Sequence, residues 1–368
     1  MKLSKIIKEI KRPFYKKLIE YFFTLWNNRF FRGLCIRNLR KNGHTYYEFQ
    51  YSTTIERKVP YFLECFDTNR DSIDQKIELL KQDMDELSRL IIDRILLMYR
   101  MFMPLYQNAM TFDPAGDPQA NFFILSRSFL VSPQEQREIK QLKQDMASTN
   151  CSHFVFPRKL PSEPEIVASK RSLIYVDRPA EKLKGKDILD CGANIGDSAL
   201  IYSEYSPRSV HAFEPEKKTF QTLQQVIQMN AKEKTIVPVM LATGDRSQTL
   251  QFYTDGENDA GASLIPKNSS ESYDVECVTI DEYVKEHNLN VGLIKMDIEG
   301  AEYASILGAT ETIKTFKPVL IISIYHTPKD FFEIKPYLEG LNLGYKFSVR
   351  QLPCYVGTLG EVELIGYV

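Results

Sequence analysis

Cysteine, histidine and tryptophan are scarce in this chain of 368 residues, which has six Cys, five His and one Trp. The cysteines lie far apart and include no Cys-x-x-Cys pair, which argues against a disulfide framework and against a zinc site. No stretch reaches the ~18 uninterrupted apolar residues that a membrane-spanning helix needs. Lysines at positions 2, 5, 8 and 11 break up the start, so no signal peptide is predicted. These absences predict a cytoplasmic protein that is soluble or attached to the membrane surface.

Positive charge is concentrated at one end of the chain. Residues 1–41 hold twelve Lys/Arg and two Glu, a net charge of +10, although the whole chain has a net charge of −1. Apolar residues recur there at helical spacing from Leu3 to Leu25, and Pro13 breaks this helix or begins a second one. One interpretation is a basic amphipathic helical segment that contacts an anionic membrane surface. The other is a helix packed on its own domain or on a partner subunit.

A nucleic-acid partner is not predicted. The remainder of the chain, residues 42–368, carries a net charge of −11. The apolar stripe of residues 1–41 resembles a packing face and not a series of aromatic platforms on which bases could stack.

Residues 42–155 are predicted to form a helical domain. After a cap at Asp71-Ser72, apolar residues step by threes and fours to Phe102, which predicts a helix of about thirty residues that Pro104 ends. A second helix is predicted after Pro133, with apolar positions from Leu130 to Met146. An intramolecular helical core is the favoured interpretation. The alternatives are a seam for a homo-oligomer and a substrate-recognition bundle. The proline-rich residues 156–165 are interpreted as a linker.

From about residue 170 the chain alternates short β-branched runs with helical stretches, which is typical of a parallel α/β sheet. Residues 250–255 and 273–280 alternate in polarity and predict an antiparallel insertion or edge pair. The predicted strands are Asp187–Asp190, Ser209–Glu214, Ile236–Leu241, Val291–Asp297 and Val319–Ile324. The predicted helices are Ile195–Tyr205, Thr219–Ala231 and 302–314.

The segment ILDCGANIGDSA, residues 188–199, predicts a ligand site at the end of the first strand. Gly192 and Gly196 would let the backbone pass close to a ligand, but the spacing lacks the middle glycine of the dinucleotide fingerprint. Glu214 ends the second strand, where a carboxylate can accept both hydroxyls of a ribose. A ligand with a ribose and without a diphosphate is favoured, so S-adenosylmethionine fits better than NAD.

A third motif, LIKMDIEGAEYASILGA at residues 293–309, ends a buried strand with several acidic residues. Asp297, Glu299 and Glu302 lie within six residues, which is costly unless they face a ligand, backbone donors or a lysine. The alternative is that Glu299 or Glu302 only favours the start of a helix.

With these motifs, residues ~170–368 resemble the FkbM family of S-adenosylmethionine-dependent methyltransferases. The resemblance rests on DILDCGANIGDSAL, VHAFEPE, TIDEYV, LIKMDIEGAEYASILGA and ISIYHTPKDF. It implies a class I methyltransferase fold, with a seven-stranded sheet whose last strand is antiparallel, preceded here by the helical N-terminal region. It also implies O-methylation of a hydroxyl, commonly on a sugar or a polyketide, so the expected acceptor is a carbohydrate or related secondary metabolite.

Resemblance and position together assign the site residues. The methionine end of the cofactor would be lined by Asp190, Gly192, Asn194, Gly196 and Asp197. Glu214 would hold the ribose, and Thr243 and Asp245 would lie at the adenine edge. Asp297, Glu299 and His326 are the candidate catalytic residues.

His326 is the best candidate for a general base, because it follows the fifth strand and its unperturbed pKa is near 6.5. The alternative is a histidine that only bonds a loop. A divalent metal held by Asp297, Glu299 and His326 is conceivable but is not predicted, because a second pair of acids is lacking after the fifth strand. Two other classes stay open: a nicotinamide-dependent oxidoreductase, and a non-catalytic scaffold with a vestigial cofactor fold.

Overall fold

The structure is a computed structural model that describes residues 62, 64–65, 72–109, 133–148, 153–157, 169–254, 271–352 and 360–368. Within these residues the chain forms two compact units. One contains the described residues up to Gln141 together with Val349–Val362, and the other is formed by Leu142–Ser348 and Glu363–Val368. The predicted amphipathic segment 1–41 and most of the proline-rich linker lie outside the described residues.

The helices and strands are numbered along the chain. The helices are α1 (Ile73–Lys81), α2 (Glu86–Ala109), α3 (Pro133–Ser148), α4 (Pro179–Leu183), α5 (Asp197–Ser203), α6 (Lys217–Met229), α7 (Ile280–Glu286), α8 (Glu302–Leu307), α9 (Thr310–Phe316) and α10 (Pro328–Gly340). The strands are β1 (Asp187–Cys191), β2 (Ser209–Phe213), β3 (Ile236–Val239), β4 (Ala242–Thr243), β5 (Gln248–Thr254), β6 (Glu271–Val278), β7 (Val291–Met296), β8 (Val319–Ser323), β9 (Lys346–Gln351) and β10 (Val362–Tyr367). No helix in the described ranges combines the length and the hydrophobicity that crossing a membrane requires.

Most of a seven-stranded sheet of order β3-β2-β1-β7-β8-β10-β9 belongs to the larger unit. Strands β1, β7 and β8 are buried along their whole length, as expected for parallel strands covered by helices on both faces. Strand β10 runs antiparallel to β8, with Leu364 opposite Ile322. This topology confirms the predicted α/β class and the antiparallel strand near the end of the chain. It also brings the carboxyl ends of β1, β2, β7 and β8 to one edge.

The predicted antiparallel pair is confirmed, and it belongs to a second sheet of order β4-β6-β5. Strands β5 and β6 pair with Leu250 opposite Val275 and Phe252 opposite Tyr273. The small sheet has its own apolar cluster, which includes Ala242, Val275 and Cys277. The pair is therefore an insertion beside the main sheet.

The prediction of one helix of about thirty residues is wrong. The chain forms α1 and α2 instead, with a break at residues 82–85 where Asp83 has a φ of +54°. The Asp85 side chain accepts the Ser88 N–H at 2.7 Å, so it caps the first turn of α2. Pro104 does not end the helix either, because α2 continues to Ala109.

The predicted helix over 302–314 is also divided, into α8 and α9. Gly308 lies between them, and a Cβ there would be 2.0 Å from the Gly244 carbonyl oxygen. The Asp281 carboxylate accepts the N–H groups of Glu311 and Thr312, at 3.0 and 2.7 Å. A side chain from α7 therefore satisfies the first donors of α9, which lets the second helix begin.

In the smaller unit the apolar side of α2 is buried within the single chain, including Ile91, Ile92 and Ile95. Arg94 is also buried. It donates to Glu135 on α3, and to Gln351 Oε1 at 2.8 Å. These contacts support the intramolecular helical core. The predicted domain limits and the homo-oligomer seam stay predictions.

Candidate functional site

The turn after β1 contains three residues in the left-handed region: Gly192, Asn194 and Gly196, with φ values of +76°, +49° and +94°. A Cβ on Gly192 would lie 1.9 Å from the Asp297 carbonyl oxygen, and one on Gly196 would lie 2.6 Å from the Leu223 side chain. The close approach that requires glycine is therefore to protein atoms at both positions. It joins the turn after β1 directly to the loop after β7.

Asp190, near the end of β1, is fully buried and is paired with Lys295 on β7. Lys295 Nζ lies 3.0 Å from Asp190 Oδ1, and Ser198 donates to Asp190 Oδ2 at 2.6 Å. Lys295 also donates to the Gly192 carbonyl at 2.7 Å. Burial would lower the pKa of Lys295, but the charge of Asp190 outweighs burial and raises it. The buried pair of Asp190 and Lys295 thus holds the glycine turn in place through the Gly192 carbonyl.

Glu214 follows β2 and is buried beside the same turn. Its carboxylate accepts the Asn194 N–H at 3.0 Å and the Glu216 N–H at 2.8 Å. Burial raises the pKa of Glu214 to about 7, although both backbone bonds act in the opposite direction. Glu214 is thus oriented toward the turn that sequence reasoning assigned to a cofactor.

The remaining predicted cofactor residues, Thr243, Asp245 and Asp197, differ in their exposure to solvent. Thr243 on β4 is buried, and its hydroxyl accepts a hydrogen bond from Ser305 at 2.8 Å. Asp245 is exposed, and Asp197 is partly buried at the first position of α5. Thr243 therefore forms part of a packed contact with α8, whereas Asp245 offers its carboxylate to solvent.

Asp297, directly after β7, lies among groups from three segments. Arg171 Nη2 is 3.3 Å from Asp297 Oδ2, and the Tyr325 hydroxyl is 3.5 Å from Oδ1. Burial would raise the pKa of Asp297, but positive charge on Lys295 and then on His326 outweighs burial and holds it well below its usual range. Asp297 is therefore an ionised carboxylate at the edge where β1 and β7 end.

His326 follows β8 and is surrounded by carboxylates, with only 3% of its surface exposed. Nε2 lies 3.5 Å from Asp297 Oδ1 and 3.7 Å from Glu299 Oε2. Nδ1 lies 2.7 Å from Glu302 Oε1. The structure therefore brings together Asp297, Glu299 and His326, the three residues that the sequence marks as candidate catalytic groups.

One atom each of Asp297, Glu302 and His326 lie within 4.8 Å of one another, which would suit a metal ion. The metal site considered from the sequence contained Glu299 instead of Glu302. Glu302 already accepts backbone N–H groups through both oxygens, as well as facing His326 Nδ1. This makes Glu302 a partner of the histidine in preference to a metal ligand.

Sequence reasoning missed Arg171 and the part played by Lys295. Arg171 comes from a turn in which Lys170, Arg171 and Ser172 all have positive φ, from +45° to +66°. The Ser172 hydroxyl donates to Glu363 on β10, and the Tyr202 hydroxyl donates to the Arg171 carbonyl. No sequence signal predicts that a residue 126 positions before Asp297 contacts it, whereas Lys295 stands within the LIKMDIEG motif.

These features fit S-adenosylmethionine. Glu214 presents a buried acceptor at the position that suits ribose hydroxyls, and the adjoining turn lacks the glycine spacing that a diphosphate needs.

The sheet order, the antiparallel strand β10 beside β8 and the grouping of acids at one edge define a class I methyltransferase fold. Residues 190–347 match the family model of the methyltransferase FkbM domain. The resemblance noted in the motifs is thus confirmed over residues 190–347.

Solved structures to which the chain is similar include the methyltransferase FkbM from Methylobacillus flagellatus KT, at 19% identity and a TM-score of 0.40, covering 73% of this chain and 70% of that one. Fibrillarin from Aeropyrum pernix, with natively bound S-adenosyl-L-methionine, has 13% identity, a TM-score of 0.33 and coverages of 55% and 74%. The O-methyltransferase from Bacillus cereus in complex with SAH has 11% identity, a TM-score of 0.32 and coverages of 66% and 94%. No curated protein matches the sequence.

Proposed function

We propose that the protein is an S-adenosylmethionine-dependent O-methyltransferase that acts on a hydroxyl of a carbohydrate or a related secondary metabolite. The observation that carries this proposal is the position of Glu214 and His326. Glu214 is buried beside the glycine turn after β1, and His326 is buried among acids after β8. Both belong to strand ends at one edge of the sheet, where ligands bind in open α/β folds.

Each group has a role in the proposed reaction. When bound, S-adenosylmethionine supplies a methyl group that its positive sulfur already activates. Glu214 accepts hydrogen bonds from the ribose hydroxyls. The methionine end is lined by Asp190, Gly192, Asn194, Gly196 and Asp197, and the adenine edge by Thr243 and Asp245.

The chain's remaining task is to align the acceptor hydroxyl and remove its proton. His326 Nε2 is the base, and Asp297 and Glu299 lie 3.5 and 3.7 Å from it. Negative charge on both stabilises the imidazolium that forms when the proton arrives. A carbohydrate acceptor is supported by the family resemblance and by the polar character of these groups.

The test is methyl transfer from labelled S-adenosylmethionine to extracts that contain glycan precursors. We expect label in a carbohydrate fraction, and we expect His326→Ala to reduce turnover by ~10²–10⁴ while cofactor affinity is unchanged. A His211→Ala variant is the matched control, because His211 bonds Ser209 and Tyr283 within the sheet layer. Equal turnover of the His326 variant and the wild type would remove the base assignment.

A further inference from the structure

Glu302 is a fully buried carboxylate to which the proposed reaction gives no role. It opens α8, and its two oxygens accept the N–H groups of Ile298 and Gly300 at 2.8 and 2.9 Å. Its Oε1 also lies 2.7 Å from His326 Nδ1. A carboxylate held by two backbone donors cannot turn away from the imidazole, so its orientation relative to His326 is fixed.

We propose that Glu302 is a positioning residue that holds the proton of His326 on Nδ1 and keeps Nε2 as the basic atom. This inference rests on the proposed function, because it concerns the base of that reaction. The direct observation is the 2.7 Å separation between Nδ1 and a buried, doubly clamped carboxylate.

The chemistry of the two nitrogens follows from the partner of each. A carboxylate oxygen accepts hydrogen bonds, so the proposal places the ring proton on Nδ1, which lies 2.7 Å from Glu302 Oε1. In the neutral ring the lone pair is then on Nε2, on the side of Asp297 and Glu299. In the transfer step the acceptor O–H bond breaks and its proton moves to Nε2. The acceptor oxygen forms the new bond to the methyl carbon, and the electron pair of the old carbon–sulfur bond stays on sulfur.

The negative charges around His326 stabilise the imidazolium that forms when Nε2 takes up the proton. Negative charge comes from Glu302 on α8 and from Asp297 and Glu299 on the loop after β7. Asp330 on α10 also acts on His326, and burial followed by the charge of Glu302 raises the pKa of Asp330 to about 7. Arg171 offsets part of the charge of Asp297. Of these groups, Glu302 is nearest to the ring.

The same carboxylate organises the loop that carries the other acids. Its bonds to Ile298 and Gly300 lie on either side of Glu299, which has a φ of +56°. A variant of Glu302 can therefore lower activity by disturbing the loop alone. The test must include a signal that a purely structural role would not change.

The first measurement follows the wild-type protein and needs a variant only to assign the signal. The wild-type chain labelled with ¹⁵N-histidine has only five histidines, and His326→Asn identifies the signal of His326 by its loss. As the pH rises, we expect Nε2 to lose its proton while Nδ1 keeps its own. Loss of the proton from Nδ1 would overturn the inference, whereas methyl transfer would still support the proposed function. A ring that stays doubly protonated to high pH would overturn both.

The second measurement uses Glu302→Gln, which keeps the size of the side chain and removes its charge. Loss of this negative partner makes the imidazolium less stable, so the acidic limb of the kcat profile should move to lower pH, with turnover reduced by ~10²–10⁴. Affinity for S-adenosylmethionine should not change. An unshifted profile would reduce Glu302 to a structural residue of the loop.

Asp187→Asn is the matched control. Asp187 is also a buried carboxylate that accepts a backbone N–H, from Asn290 at 2.6 Å, but it lies at the opposite end of β1. We expect this variant to lose stability and to keep the wild-type pH profile. A shift of the same size in Asp187→Asn would show that the profile follows general destabilisation, which would overturn the role of Glu302.

Discussion

The Glu214 carboxyl has a pKa raised to about 7, because burial disfavours its charge more than its two backbone hydrogen bonds favour it. In the cofactor-free protein the folded state therefore holds this proton more tightly than the unfolded state. The contribution of Glu214 to stability falls as the pH rises from 4.5, the ordinary pKa of the group, to about 7, which is the reverse of the usual carboxylate. Ribose hydroxyls, as donors, would favour the ionised form.

Cofactor affinity should consequently depend on pH in a defined direction. Below about pH 7 the carboxyl is protonated, so we expect the Kd for S-adenosylmethionine to weaken by up to about tenfold per pH unit. Glu214→Gln should bind more weakly throughout and lose this dependence. Calorimetry between pH 5.5 and 8 measures both. An equally steep pH dependence in the glutamine variant would assign the titration to another group.

At the scale of elements, the contact between the turn after β1 and the loop after β7 depends on the absence of a side chain at Gly192. Gly192→Ala should be much more destabilising than Gly185→Ala. Both glycines have a left-handed φ, +76° and +69°, so both alanines carry ~1–2 kcal/mol of backbone strain. Only at Gly192 would the Cβ collide with backbone, at 1.9 Å from the Asp297 oxygen.

Thermal unfolding of the two variants separates the backbone strain from the collision of the new Cβ with Asp297. Gly185→Ala has no atom within 4 Å of the new Cβ and reports strain alone. The additional decrease in Tm of Gly192→Ala then reports the collision with Asp297, and cofactor affinity should fall with it. Equal Tm values would mean that the two loops move apart at no cost, and that their contact does not hold the site.

Most strands and helices of the larger unit could be predicted, because each buried strand is a short apolar run bounded by glycine, proline or acids. Strand β1, for example, extends only one residue beyond the prediction. The division between α8 and α9 could not be predicted, because it depends on Gly308 meeting Gly244 and on Asp281 capping α9. Such contacts join residues that are far apart in sequence.

In the site too, the residues that could be predicted are those marked by local sequence pattern, and those that could not depend on contacts between distant parts of the chain. Asp297, Glu299 and His326 stand at strand ends, where sequence pattern alone suggests a ligand. The contact of Arg171 with Asp297 and the close approach of Glu302 to His326 become visible only when the chain is folded. The sequence pattern suggested that Glu302 could face backbone donors, but contained no sign of its second partner.

At the scale of the whole molecule, the charge of residues 1–41 sets an expectation about location. We propose that this segment, with a net charge of +10, attracts the protein to anionic membranes. Each basic residue near such a surface contributes ~1 kcal/mol, and salt screens the attraction over a Debye length of ~8 Å. Co-sedimentation with anionic vesicles should therefore be strong at low salt and weak at high salt.

A chain lacking residues 1–41 should lose vesicle binding and keep its cofactor affinity, since the proposed cofactor residues all lie between 190 and 245. Neutral vesicles serve as the control for apolar adsorption. If the full-length protein ignores anionic vesicles at low salt, the apolar stripe packs within the protein or against a second copy. Sedimentation equilibrium at the same salt would then distinguish these two outcomes by mass.

The central claim is that the edge where β1, β2, β7 and β8 end binds S-adenosylmethionine. Calorimetric titration of the full-length protein with S-adenosylmethionine and separately with NAD tests it most directly. We expect one S-adenosylmethionine per chain, no binding of NAD, and at least tenfold weaker S-adenosylmethionine binding by Glu214→Ala, because two charge-assisted hydrogen bonds of ~1.5–3 kcal/mol each are lost. Binding of NAD in place of S-adenosylmethionine by the folded wild-type protein, or unchanged affinity in Glu214→Ala, would contradict the account.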